Sequence, residues 1–240
     1  MTPSDPMPEL VLSSEALPFM LLQRAEASSF GRTARRHREF YQRRLLHWEA
    51  RLFAGPVLRR YRTWLARDYD SIRPFLPTRA AALCDVGCGV AGIDVLLFRH
   101  YGGPDDLRVH LVDKTATSEL VTYGYKGDGE FYNSLELAAE TLATNGVPLS
   151  QVHTHEASAE GRLPSGPLDL VFSLLSWGFH YPVATYLDAA HEALRPGGRV
   201  ILDVRKGTEG EDRVRRKFGN LRDLGSLENG KGRRVGAIKE

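Results

Sequence analysis

Residues 80 to 86 form a short apolar run that closes on Asp85-Val86-Gly87-Cys88-Gly89 and gives way to a helical pattern over residues 91 to 101. An unbroken apolar run is the mark of a strand buried on both faces, as in a parallel sheet covered by helices. The glycines at 87, 89 and 92 satisfy the spacing G-x-G-x-x-G, a tight turn between strand and helix. Gly87 and Gly89 permit backbone angles closed to other residues and put no side chain between the turn and a ligand. In open α/β sheets such a turn lies outside the carboxyl end of a strand, where ligands bind.

The same alternation continues along the chain. Strands are expected over 107–112, ending at Asp113, then 152–155, 168–174 and 199–204, the last after the turn Arg195-Pro196-Gly197-Gly198. Helices are expected over 131–145, with Asn145-Gly146 as a stop, and over 182–194. This pattern predicts βαβ units and a doubly wound, mostly parallel sheet. A tail helix over 211–218 and a hairpin around Asn229-Gly230 complete it. Residues 17–77 read as an N-terminal helical extension, broken at Gly55-Pro56 and closed by Pro74 and Pro77. Phe40, Tyr41, Leu45, Trp48 and Leu52 make one apolar stripe, and Val57, Tyr61, Trp64 and Leu65 the next, so these aromatics are expected in the core. Three organisational units result: a loosely attached 1–16, a helical lid over 17–77 and a core over 78–240.

Composition narrows the partners. Hydrophobic residues are 42% and charged residues 26% of the 240, values of a globular domain able to bury an ordinary core. The two cysteines, Cys84 and Cys88, flank the tight turn with no third to complete a zinc site, so no metal is expected. Cysteine poverty, the absence of a signal-peptide pattern and the absence of a long apolar segment suit a cytoplasmic protein without a membrane span. A formal net charge of +2 does not mark a nucleic-acid binder. The charge is uneven, however: residues 24–67 carry twelve arginines against three glutamates, an excess of nine.

Two ligand classes use a glycine turn at this place. A dinucleotide puts its pyrophosphate on the helix N-terminus, and a carboxylate beside the turn would repel it. S-adenosylmethionine instead presents an amino-acid end with an ammonium, which Asp85 suits. Asp113, about 20 residues beyond the glycines at the end of the next strand, is placed to accept hydrogen bonds from ribose hydroxyls.

The run Leu83-Cys-Asp-Val-Gly-Cys-Gly-Val-Ala-Gly92, the strand end Leu111-Val-Asp113, the run Leu168-Asp-Leu-Val-Phe-Ser173 and the turn Leu194-Arg-Pro-Gly-Gly-Arg-Val-Ile-Leu202 together resemble the class I S-adenosylmethionine-dependent methyltransferases, over residues 80 to 205. The resemblance implies a seven-stranded sheet with its last strand antiparallel. It implies that Asp85, Gly87 and Gly89, with Cys88 between them, hold the methionine part. It puts Asp113 and Lys114 at the ribose, Glu156 and Ala157 at the adenine, and Ser173 at the end of the strand that faces the cofactor. The segment Leu174 to Pro182 lacks the Asn/Asp-Pro-Pro-Tyr pattern of enzymes that modify nucleobase or glutamine nitrogens, and the acidic cluster of metal-dependent catechol-type enzymes is not apparent.

The expected reaction is methyl transfer to a small-molecule acceptor, a hydroxyl of a natural product or sugar; an RNA- or ribosome-directed enzyme is the alternative, resting on the arginine-rich segment. Some of these arginines would then hold an acceptor carboxylate or phosphate. His180, just beyond the strand ending near 174, is the candidate general base, with Tyr181 as a hydrogen-bond orienter. The aromatic, glycine-rich run 123–132 either lines the acceptor pocket or packs as an ordinary loop.

Overall fold

The computed structural model describes residues 10–31, 37, 40–117 and 132–240. Seven strands make the central sheet: β1 Ala82–Val86, β2 Arg108–Asp113, β3 Val152–Glu156, β4 Leu168–Ser173, β5 Leu194–Arg205, β6 Arg222–Ser226 and β7 Gly232–Ile238. Their order is β3-β2-β1-β4-β5-β7-β6. The first five pair in parallel, and β7 runs antiparallel between β5 and β6. The expected doubly wound sheet with an antiparallel end is therefore present.

Every residue of β1 and β4 is buried, because helices cover both faces. Leu83, Val109, Leu111, Leu170 and Phe172 face one layer, which holds α1 (Ala16–Gln23), α2 (Leu46–Leu52), α3 (Ala54–Ile72), α4 (Gly92–His100) and α5 (Leu135–Thr144). Cys84, Val86, Val112, Val171 and Leu202 face the other, with α6 (Leu187–Ala193) and α7 (Gly210–Phe218). The side chains alternate because successive Cβ atoms of a strand point to opposite faces. β1 lies between β2 and β4, where the chain direction of winding reverses, and this opens a crevice at the carboxyl ends.

The N-terminal segment departs from expectation in several ways. Leu10 and Leu12, read as part of a loose terminus, are buried in the core. The break expected at Gly55-Pro56 falls slightly earlier, at Phe53, and Pro56 stands in the first turn of α3, which starts at Ala54, as expected. A proline near a helix start lacks only an N–H that would have no partner there. Of the expected α3 stripe Val57, Tyr61 and Leu65 are buried, Trp64 is half-buried and Ile72 joins them; of the other stripe Tyr41 is buried, but Phe40, Trp48 and Leu52 are 59%, 64% and 62% exposed. A five-residue π turn, Tyr41–Leu45, precedes α2 and rotates the stripe out of register. What α2 buries is Leu46, Glu49 and Ala50. Glu49 accepts hydrogen bonds from Ser28 Oγ (2.7 Å), Tyr41 Oη (2.5 Å) and the Ser29 N–H, an arrangement that draws it to the inside.

Elsewhere the differences are smaller. The expected helix over 182–194 is a 3-10 turn, Val183–Thr185, followed by α6. The expected turn 195–198 is a bulge inside a twelve-residue β5, with Leu168 opposite Leu194 and Leu170 opposite Arg199. Residues 118–131, and so most of the run 123–132, lie outside the described residues, as do residues 1–9 and Arg32, Arg35, Arg36 and Arg38.

Candidate functional site

The chain leaves β1 at Val86, and the Gly87 N–H donates to the Val112 carbonyl (2.7 Å), tying the turn to the end of β2. Gly87 and Gly89 have φ of 81° and 55°, so the permissive backbone is used at both. A Cβ at Gly87 would stand 2.0 Å from Ser176 Oγ, and one at Gly89 2.4 Å from Gln23 Oε1. Gly92 serves a different purpose: it opens α4 and lets α3 approach, since a Cβ there would meet the Tyr61 hydroxyl at 2.4 Å. The left-handed residue before α4 is Ala91, with φ 56°.

Asp113 ends β2 against this turn. Its Oδ2 accepts from the Gly89 N–H (2.9 Å) and Asn133 Nδ2 (2.9 Å), and its Oδ1 from the Lys114 N–H (2.7 Å). Burial nevertheless raises its pKa above the ordinary carboxylate range, and these three donors act against that shift. Cys88 is buried beside it, its Sγ 4.0 Å from Asp113 Oδ2 and 3.9 Å from Asn133 Nδ2. Burial pushes the Cys88 thiol well up, so it remains a thiol. Asn133 Oδ1 in turn accepts from Gln23 Nε2 (3.3 Å), and Gln23 Oε1 accepts the Val90 N–H (3.1 Å). The end of α1 thereby touches the glycine turn.

Asp85 and Asp94 are the unusual pair. Both are buried, and burial raises both, Asp85 well above the carboxylate range, with Asp94 and Asp113 adding like charge, and Asp94 to about 7. Asp85 Oδ1 and both oxygens of Asp94 have no hydrogen-bond partner among the described residues.

The second half of the crevice is built differently. Ser173, at the end of β4, is wholly buried; its hydroxyl donates to the Val86 carbonyl (2.6 Å) and accepts the Trp177 N–H (2.8 Å). It pins the loop after β4 to the end of β1. Trp177 and Phe179 are core residues, whereas His180 and Tyr181 are half-buried. The His180 N–H donates to the Ser176 carbonyl (2.8 Å), and its ring stands edge-on to Phe179 with centroids 5.1 Å apart. The Ser176 side chain lies on Gly87, and burial raises the Tyr181 pKa well above the usual phenol value. The Leu175 N–H donates to Asp203 Oδ2 (3.0 Å), and Leu175 holds a left-handed φ of 61°. Asp203 is paired by Arg234 through two bonds (2.6 and 2.8 Å), Arg234 also holds Asp68 (2.9 Å), and Asp68 meets Arg24 (2.6 Å).

The structure thus brings Asp85, Gly87, Cys88, Gly89 and Asp113 together, with Lys114 following through its backbone. Ala157 joins through its N–H, which donates to the Asp113 carbonyl (2.8 Å). Glu156 stands in register with Asp113, exposed, its Oε1 accepting the Thr115 N–H (3.0 Å). Sequence reasoning missed Gln23, Asn133, Ser176 and Asp94. Only Asp94 carried a signal, an acidic residue in the first turn of an otherwise apolar helix. Among the described residues no group of three or more His, Cys, Asp or Glu is placed to hold a metal, and no helix is long and apolar enough to cross a membrane.

The sequence matches no protein-family model and no curated protein. Solved structures do match. A protein of Nostoc punctiforme assigned as an O-methyltransferase shares 16% identity at a TM-score of 0.53, over 74% of this chain and 56% of that one. A methyltransferase of Pyrococcus furiosus shares 17% at 0.51, over 73% and 82%. The T. thermophilus 16S rRNA N2 G1207 methyltransferase, solved with AdoMet and guanosine, shares 17% at 0.50, over 75% and 42%. The fold is that of the class I methyltransferases. At such identities the likeness concerns the fold, and this chain spans 56% of the length of the Nostoc protein and 42% of that of the T. thermophilus enzyme.

Proposed function

We propose that the protein is an S-adenosylmethionine-dependent methyltransferase acting on a hydroxyl of a small-molecule acceptor. The observation that carries this reading is a buried acidic cluster, Asp85, Asp94 and Asp113, set against a side-chain-free glycine turn and lacking any cationic partner among the described residues. Buried carboxyl groups are ordinarily paired; these suit an ammonium and ribose hydroxyls, and they oppose a pyrophosphate. S-adenosylmethionine supplies, when bound, the sulfonium methyl that is transferred.

Asp85 receives the ammonium. Gly87 and Gly89 leave room for the methionine chain, and Asp113 orients the ribose, with Glu156 and Ala157 beside the adenine. The end of α1 and the middle of α3 shield the turn and the start of α4 through Gln23 and Tyr61 and exclude water. His180 takes the proton of the acceptor hydroxyl as the new C–O bond forms. Tyr181 stays protonated and orients by donating a hydrogen bond. Calorimetric titration with S-adenosylhomocysteine tests the site: binding is expected for the native protein and not for Gly87→Val. Binding of NADH in place of S-adenosylhomocysteine would reject the reading. His180→Ala is expected to lower kcat by ~10²–10⁴-fold with cofactor affinity kept.

One observation favours a second reading. Phe40, Trp48 and Leu52 are exposed on the same side as the exposed Arg44 and Arg51, and aromatic faces among arginines are what unpaired RNA bases stack on. The same fold carries the rRNA enzyme of T. thermophilus. Incubation with labelled S-adenosylmethionine and either total RNA or a low-molecular-weight extract separates the two, with label expected in the extract.

A further inference from the structure

Successive side chains of a strand alternate, so Ile201, Asp203 and Arg205 of β5 point to the layer that holds α1 to α5. Ile201 lies in the core of that layer, and Asp203 meets Arg234. Arg205 is the last residue of β5, one pleat nearer the carboxyl edge of the sheet, and is half-buried.

The loop that carries His180 is fastened to this strand end. The Leu175 N–H donates to Asp203 Oδ2 (3.0 Å), and the Arg205 N–H donates to the Gly178 carbonyl (3.0 Å). The Arg205 guanidinium lies over the Phe179 ring, 5.3 Å from its centroid, and the same ring meets His180 edge-on. The candidate base and a cation therefore share one aromatic ring at the carboxyl edge.

That cation is scarcely engaged. A guanidinium has five N–H donors. Here Nη1 reaches the Phe179 carbonyl at 3.4 Å, and among the described residues Arg205 meets no carboxylate. Its neighbours are matched: Arg24 by Asp68, Arg234 by Asp68 and Asp203, Arg67 by Glu228 and Arg233 by Asp223. A planar fork of donors, stacked on a ring and half withdrawn from water, fits an oxyanion through two parallel hydrogen bonds.

We propose that Arg205 binds an oxyanion of the acceptor, a carboxylate or a phosphate monoester, so that the substrate is an anionic hydroxy compound. The proposal rests on the function proposed above. Arg205 holds the acceptor by its charged end and presents the hydroxyl to His180. Methyl transfer forms a bond at the hydroxyl oxygen, whose proton leaves to His180, and the oxyanion is untouched. The product therefore keeps its negative charge.

The low-molecular-weight extract is split on an anion exchanger at pH 7 into bound and unbound fractions, and each is incubated with native protein and methyl-labelled S-adenosylmethionine. Label is expected in the bound fraction, in a product that binds the exchanger again. Alkaline phosphatase treatment of the fraction abolishes labelling where the oxyanion is a phosphate and leaves it where it is a carboxylate. In Arg205→Gln the amount of bound fraction needed for half-maximal transfer is expected to rise about 10–100-fold, with kcat and S-adenosylhomocysteine affinity close to native. Arg205→Lys, which keeps the charge without the fork, restores part of the loss. Label confined to the unbound fraction, a product that no longer binds the exchanger, or an unchanged half-maximal amount in Arg205→Gln overturns the proposal and leaves the methyltransferase reading standing. No label in either fraction overturns both. Where Arg205→Gln does not fold, Arg205→Lys and the native fractionation decide the matter.

Discussion

The molecule holds two buried acidic clusters at the carboxyl edge of one sheet, and they are solved in opposite ways. At the β4–β5 half, Asp203 and Asp68 are matched by Arg234 and Arg24 in an interlocked network that also fixes Leu175. At the β1–β2 half, Asp113 has backbone N–H groups and the Asn133 amide, Asp85 Oδ1 and both Asp94 oxygens have no hydrogen-bond partner, and none of the three is paired with a cation among the described residues. The chemistry shows in the titration. Burial pushes Asp68 up, but Arg24 and Arg234 outweigh it and hold Asp68 below the ordinary range. Asp203, fully buried, stays somewhat raised because burial is its largest influence even beside Arg234. Asp85 has only burial and like charges, and both raise it. A matched cluster is complete as structure; an unmatched one is an open valence that a cationic ligand fills.

The contrast can be broken most severely at Arg234. Arg234→Met leaves Asp203 buried without its partner and is expected to lower the unfolding free energy by about 3–5 kcal/mol in denaturant titration. A loss of under about 1 kcal/mol would put the network on a level with exposed ion pairs and erase the distinction. On the other side, Asp113→Ala is expected to weaken S-adenosylhomocysteine binding by roughly 1.5–3 kcal/mol, since a hydrogen bond to a charged group is removed. Unchanged affinity by calorimetry would mean that the acidic half does not face a ligand.

Titration sharpens the comparison further. Asp94 has its pKa raised from 3.8 to about 7, so the folded, unliganded protein binds that proton more tightly than the unfolded chain does. Its contribution to stability is full below pH 3.8 and is lost as pH rises through about 7, at a slope of up to ~1.4 kcal/mol per pH unit. Asp68 works in the other direction: its lowered pKa adds stability that disappears in acid. Denaturation across this window should therefore show a shallower fall with rising pH in Asp94→Asn than in native protein. The smallest effect is expected outside both clusters: Trp48→Ser, on the exposed side of α2, should change stability by no more than about 0.5 kcal/mol. A larger loss would show that α2 packs its aromatic face on something.

The sequence by itself determined the sheet and the glycine turn. Buried strands such as Leu168–Ser173 are mainly apolar, Asp169 and Ser173 excepted, because helices cover both faces, and that pattern is local and readable. Gly87, Gly89 and Asp113 were legible for a similar reason: a strand end, a left-handed turn and a carboxylate at the next strand end are each set by a few adjacent residues. The N-terminal stripes were read only in part. A period of 3.6 assigns Phe40, Trp48 and Leu52 to one inner face, and the π turn at Tyr41–Leu45 shifts that face outward. Tertiary structure alone decided the rest. Gln23 reaches Val90 across 67 positions, Asn133 reaches Asp113 across 20, and Arg234 reaches Asp68 across 166, so no window of sequence contains both ends. Ser173 shows the same limit: its place at a strand end is local, but its hydroxyl donates to the Val86 carbonyl, 87 positions away, which only the fold brings to it. Whether a buried acid is paired or open depends on which cation the chain returns to that spot. For Asp203 it is Arg234, 31 residues on; for Asp85 the described chain returns another acid, Asp94.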